Sequence, residues 1–155
     1  IKIIMDNKID KDIIYSEEYN KYLNKALENE NNINIIYSSI EEIHRKKNKI
    51  LKKFNITNNY YKKLQDKLSN YKFIEDLDDI CYGTYIRWIN IDDPNVELKI
   101  GGYICEIKID SCIKLVCKNR LNRFFELKLD NAIIFQMLTD QEMIILNALS
   151  VISEI

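Results

Sequence analysis

Glycine and proline are almost missing, at three and one in 155 residues. That excludes collagen-like, mucin-like and linker-type chains. It also excludes a Gly-rich phosphate loop, because Gly101-Gly102 is the one Gly pair and no Lys-Ser/Thr follows it. The single histidine, His44, sits among Arg45, Lys46 and Lys47. These neighbours hold the ring neutral and offer no carboxylate to orient it, so Ser-His-Asp or Cys-His catalysis has no support. The four cysteines, at 81, 105, 112 and 117, form no C-x-x-C pair, and their spacing fits no zinc site. No metal, no cofactor, no catalytic residue and no small-molecule substrate is expected. There is no apolar run of 18 residues and no signal peptide. The expectation is no membrane contact and a cytosolic-type reducing environment. The chain begins at Ile1 rather than Met, so missing upstream residues or a piece cut from a larger protein are expected.

What is present is isoleucine (29), lysine (19) and asparagine (18), with 46% of residues hydrophobic. A core can be buried and wholesale disorder is excluded. The net charge is -1, and the stretches 1–80 and 81–155 differ little in charge. A generally basic nucleic-acid binder is therefore disfavoured, although eight Lys or Arg and no carboxylate occupy 44–63.

Two Ile-rich runs, Ile1–Met5 and Ile13–Tyr15, read as edge strands or an extended arm. Ser16 caps a helix to Glu30 whose face carries Tyr19, Leu23, Ala26 and Leu27. Residues 34–37 read as extended. Ser39-Ile40-Glu41-Glu42 is a capping box. From it an apolar seam runs through Ile40, Ile43, Ile50, Phe54, Tyr61, Leu64, Leu68 and Tyr71 in steps of three and four, as in a coiled coil. The poor helix formers Asn55–Asn59 interrupt it. The seam fits one long helix or an αα-hairpin with Thr57 capping the second arm, and the Asn cluster favours the hairpin.

Beyond Glu75–Asp79 the period becomes two. Strands are expected at 84–90, 96–109 with a break at Gly101-Gly102, 113–118, 123–129 and 133–135. A three-residue loop Asp110-Ser111-Cys112 places Ile109, Ile107 and Cys105 opposite Ile113, Leu115 and Cys117 on the core side. Glu106 and Lys108 then face Val116 and Lys114 on the wet side. Cys105 and Cys117 read as small core residues or as a cross-strand disulfide in an oxidising particle. Phe125, Leu127 and Leu129 face the core, leaving Phe124 outside, and Trp88 joins Ile86 inside. Asp92-Asp93-Pro94-Asn95 is turn chemistry. Thr139–Glu142 is a second capping box with Leu138 and Met143 as its staple.

The expected fold class is α+β: an N-terminal helical hairpin or coiled coil, a small antiparallel β-barrel or roll, and a C-terminal helix. The expected domains are 1–80 and 81–155. On Gly83–Ile89, the Gly101-Gly102 kink and the tight turn at Asp110–Cys112, the β part resembles an SH3-like small barrel. On Gly83–Ile89, Arg123-Phe124-Phe125 and Phe135–Glu142, residues 82–142 resemble conserved proteins of unassigned role in nucleocytoplasmic large DNA viruses. The Ile/Lys/Asn excess is what an AT-rich genome writes at neutral positions. The resemblance implies an origin, in host cytoplasm or virion, and a fold more than an activity.

The expected function is a non-enzymatic structural or assembly protein whose seam docks a protein partner or a second copy. The alternative is a nucleic-acid-binding factor. It would use Arg45, Lys46, Lys49, Lys52, Lys53, Lys62 and Lys63 on the basic helix. Tyr85, Arg87, Tyr103, Arg123 and Phe124 would add an aromatic/Arg face for single strands or a peptide.

Overall fold

The computed structural model describes residues 17–153. The expected runs at Ile1–Met5 and Ile13–Tyr15 and the Ser16 cap lie outside them. Among the described residues, five α-helices and one six-stranded antiparallel sheet follow in the order α1 (Glu17–Glu28), a 3-10 turn (Glu30–Asn32), α2 (Ile33–Ile36), α3 (Ile40–Leu51), α4 (Asn58–Lys67), β1 (Tyr71–Phe73), a 3-10 turn (Leu77–Asp79), β2 (Tyr85–Asn90), β3 (Leu98–Ile109), β4 (Ile113–Lys118), β5 (Phe124–Lys128), a 3-10 turn (Leu129–Asn131), β6 (Ala132–Met137) and α5 (Asp140–Ser153). The α+β class and the C-terminal helix are as expected. The chain divides into two compact units, Ile1–Arg45 with Leu138–Ile155, and Lys46–Met137. The expected boundary at residue 80 falls inside the second unit.

The first unit buries Ala26, Ile35, Ile43, Leu138, Met143, Ile145 and Leu146 together. The second capping box is complete: the Thr139 N–H donates to Glu142 Oε1 and the Glu142 N–H to Thr139 Oγ1, both at 3.1 Å. The staple residues Leu138 and Met143 are both in the core. Tyr19 Oη donates to the Ile144 carbonyl at 3.2 Å. The extended reading of 34–37 is corrected, because α2 turns there. Asn29 caps the preceding 3-10 turn, and Gln141 Oε1 accepts from Asn29 Nδ2 (2.8 Å) and Asn32 Nδ2 (3.1 Å). Those bonds hold the turn, and one helical turn then carries Ile35 inward.

In the second unit the helical seam breaks, as the Asn cluster implied. α3 ends at Leu51, and the Thr57 hydroxyl caps α4 by accepting from the Tyr60 N–H at 3.2 Å. The two arms fold back on each other. Asn48 meets Gln65 at 3.0 Å, Lys47 meets the Leu68 carbonyl, and Leu51, Leu64 and Leu68 are fully buried. Each such leucine contributes about 1.5–3 kcal/mol. Tyr71 leaves the helical seam: α4 ends at Lys67 with Leu68 as its cap, Ser69-Asn70 turns the chain, and Tyr71–Phe73 becomes β1, paired with β6. That strand was not legible as one.

The sheet order is β1-β6-β2-β3-β4-β5, so β1 and β5 are open edges and the expected barrel is not closed. One face meets the hairpin through Tyr71, Tyr85, Ile89, Val96, Leu98 and Phe135. The other buries Ile86, Ile104, Leu115, Cys117, Leu127, Ala132 and Ile134, with Phe125, Leu129 and Trp88 against them. Two bulges set the register. The first lies opposite Arg87, where β3 spends three residues against two of β2. There a Cβ on Gly101 would fall on the Ile86 carbonyl oxygen, which is why glycine stands at that position. The second is at Cys105. The register from Ile109–Ile113 to Glu106–Val116 is as expected, but Cys117 then faces Ile104. Cys105 is exposed rather than in the core, because the bulge lets the larger apolar Ile104 turn inward. All four thiols are free. Ile109, at the hairpin tip, keeps the expected pairing with Ile113 but is 70% exposed, beyond the end of the core.

Candidate functional site

The near-zero net charge conceals a segregation. By sequence the second unit holds seventeen Lys and Arg against twelve Asp and Glu, and the first unit six against twelve. The second unit is therefore +5 and the first -6. Cutting the chain at residue 80 averages this away, because both units are assembled across that cut.

Within the second unit, three ladders line up one row of side chains. Tyr85 on β2 faces Tyr103 on β3, Tyr103 faces Lys118 on β4, and Lys118 faces Phe124 on β5. Directly opposed residues share a sheet face. The row starts under the hairpin, where Tyr85 is buried, and emerges where Tyr103 is 47% and Phe124 66% exposed. Tyr85 and Tyr103 meet edge to face with centroids 5.1 Å apart. Lys118 Nζ lies 5.7 Å from the Phe124 ring centroid, and the Arg120 guanidinium 5.4 Å from that of Tyr85. Each cation–π contact contributes roughly 0.5–1 kcal/mol at an exposed site. Burial holds the Tyr71 phenol above its ordinary value, and the Arg87 and Arg120 cations partly offset this. Two rows further along lie Lys108, Lys114 and Lys128, with Glu106, Val116 and Glu126 between. Lys108 pairs with Glu126 at 3.1 Å.

The β4–β5 loop is built to hold its side chains outward. Asn119 Oδ1 accepts from the N–H groups of Leu121 (2.9 Å) and Arg123 (3.0 Å), and Asn122 sits at φ 60°. Asparagine tolerates that conformation. Arg120, Leu121 and Arg123 are thereby exposed beside the row.

Of the expected aromatic/Arg face, Tyr85, Tyr103 and Phe124 belong to this strip, and Arg123 is exposed in the adjoining β4–β5 loop. Arg87 does other work: its Nε donates to the Lys99 carbonyl at 3.1 Å and ties the first bulge. Lys118, Arg120 and Leu121 were missed: the expected hairpin register sets Lys118 opposite Ile104, and the bulge at Cys105 moves its partner to Tyr103. Lys49 on α3, Lys52 and Lys53 in the turn after it, and Lys62 and Lys63 on α4 are exposed. Arg45 forks the Glu42 carboxylate (2.6 Å), and Lys46 pairs with Glu75 at 3.0 Å. Lys47, on the seam, is buried and donates to the Leu68 carbonyl at 2.7 Å at the C-terminus of α4. Burial pulls its ammonium down to about 8.

The seam itself is covered by this chain. Ile43 is in the first unit's core and Ile40 packs against it. Leu64, Leu68 and Tyr71 are in the hairpin–sheet core, with Ile50, Phe54 and Tyr61 packed on it. His44 is exposed on α3. The Asp93 carboxylate accepts from the Asn95 and Glu97 N–H groups, which lowers its pKa, as a solvated turn would. Among the described residues no three His, Cys, Asp or Glu side chains gather as metal ligands, and no helix is long and apolar enough to cross a membrane. In the first unit an open groove of about 350 Å³ is lined by Ile36, Ile40, Leu146 and Leu149 together with Ser39 and Ser150. No family model, no curated protein and no solved structure matches the chain.

Proposed function

We propose that the chain is a non-enzymatic nucleic-acid-binding protein whose contact surface is the outward face of β3, β4 and β5 with the β4–β5 loop. The observation that carries this reading is the in-register row Tyr103–Lys118–Phe124, flanked by exposed Arg120 and Arg123, on a unit of net charge +5. Cations at a sheet surface attract phosphates, and exposed aromatic faces between them accept bases. The exposed lysines of α3 and α4 add long-range attraction rather than a contact site. Of the two surfaces first expected, the basic helix and the aromatic/Arg face, the sheet face carries the reading. The test is binding of the full chain to labelled oligonucleotides across a salt series. Three to four phosphate contacts give a slope of log affinity against log salt of about -2 to -3. Replacing Lys118, Arg120 and Arg123 together by Glu is expected to abolish binding. Absence of binding at low salt sinks the reading.

A second reading is an assembly protein that docks a protein partner or a second copy. The apolar seam no longer favours it, since those side chains are inside. The groove beside α5 does, because apolar residues line it and it is open to solvent. Light scattering that finds a concentration-dependent dimer, lost in Leu149→Glu, supports this second reading. The SH3-like likeness and an origin in a large DNA virus, within host cytoplasm or virion, are proposals about fold kinship and source, resting on residues 82–142 alone.

A further inference from the structure

We infer that the row on the outward sheet face is a two-base stacking site specific for single-stranded nucleic acid, with Lys118 taking the phosphate between the two bases. This rests on the nucleic-acid reading above and narrows its ligand.

Tyr103 and Phe124 stand on strands separated by one strand, so their Cα atoms lie about 10 Å apart. Lys118 stands on the strand between them. The order is ring, ammonium, ring, and a strand of nucleic acid presents the complementary order of base, phosphate, base. The Lys118 ammonium rests over the Phe124 ring at 5.7 Å, an exposed contact weak enough to yield to a phosphate. The inner end of the row is closed, since Tyr85 is buried and the Arg120 guanidinium lies over its ring. Two rings, not three, are therefore offered to a ligand.

A duplex does not fit this surface. Its base faces are covered by their neighbours, and its major groove, about 12 Å wide, admits a helix or a two-stranded ribbon rather than a three-strand face. A duplex would meet the cations and leave the rings bare. An acidic polypeptide would likewise match the charge and supply no stacking face. Stacking accepts any base, so little sequence preference is expected.

The test measures fluorescence anisotropy of the full chain with labelled oligothymidylate and with a duplex of the same length, at low salt. Single strand is expected to bind more tightly than duplex. Tyr103→Ala and Phe124→Ala are each expected to weaken single-strand binding about tenfold or more and leave duplex binding unchanged. Tyr103→Phe keeps the ring and is expected to bind as the parent does. Lys118→Ala is expected to weaken both probes and flatten the salt dependence. Both rings are exposed, so loss of folding is a minor risk, and a thermal melt of each variant checks it. Duplex binding equal to single-strand binding, or silent Tyr103→Ala and Phe124→Ala variants, overturns the stacking site while leaving nucleic-acid binding intact. Binding of neither probe overturns both readings. Displacement by polyglutamate as readily as by unlabelled oligothymidylate assigns the face to an acidic polypeptide and overturns the inference.

Discussion

Trp88 on β2 stacks on Phe125 on β5, with ring centroids 5.3 Å apart and planes 30° apart. Their strands are separated by β3 and β4, which in a flat sheet is about 14 Å. The sheet therefore curls about its inner cluster far enough for the two strands to touch through their side chains, without hydrogen bonding. That curl leaves the opposite face convex, and the Tyr103–Lys118–Phe124 row lies on it.

Removing the stack is expected to open the curl. Trp88→Ala should cost about 3 kcal/mol in chemical denaturation, at the low end for aromatic truncation because the indole is half-buried. Trp88→Phe, which keeps a ring against Phe125, should recover much of this. A Trp88→Ala variant as stable as the parent would show that the stack does not hold the curl.

Gly101 is expected to tolerate no side chain. A Cβ there collides with the Ile86 carbonyl, and the backbone on both strands must move. Gly101→Ala should destabilise by about 3 kcal/mol or more. Gly83→Ala, at φ 77° but with open space around the Cβ, should cost only about 1–2 kcal/mol. Thermal melts of the two variants compare them directly.

Lys47 makes stability depend on pH in an unusual direction. Its ammonium is lowered to about 8 by burial, below the value in the unfolded chain. Between about 8 and 10.5 the unfolded chain holds the Lys47 proton more than the folded one does, so Lys47 makes stability rise with pH, while Cys117, raised from 9.0 to about 12, opposes it from about 9 upward. Below it the native state carries the cost of the buried charge. Lys47→Met should remove the rise that Lys47 contributes; near pH 7 it relieves the buried charge but leaves the Leu68 carbonyl without its donor, so the net change is expected to be small. Urea melts from pH 7 to 9.5 separate the two chains before the phenols, which burial raises at Tyr19 and Tyr71, begin to ionise.

The thiols should react in an order set by the second bulge. Cys105 is exposed, while Cys117 is fully buried with its thiol pushed up to about 12 by burial and by the neighbouring Cys105. Mass spectrometry after brief alkylation at pH 8 should find Cys105 modified and Cys117 untouched until denaturant is added. Equal labelling of both in the native protein would contradict the register.

The residues alone determined whatever is settled within a few positions along the chain. Thr139 and Glu142 satisfy each other's backbone groups three residues apart, and Thr57 caps α4 in the same way. The run Asn55–Asn59 breaks the helix by propensity, and the tight loop at Asp110–Cys112 sets the pairing of Ile107 with Leu115. Only the tertiary structure decided which side chain enters a core when two compete. Ile104 displaces Cys105 by a bulge, β6 turns Tyr71–Phe73 into a strand, and the polar network at Gln141 turns 33–36 into a helix. The same applies to the candidate site. Lys118 meets Tyr103 because the bulge at Cys105 shifts the β3–β4 ladder by one residue, and the first unit gathers its acidic excess from both ends of the chain. Local hydrogen bonding and periodicity act over three or four residues, whereas burial compares every apolar side chain in the molecule at once.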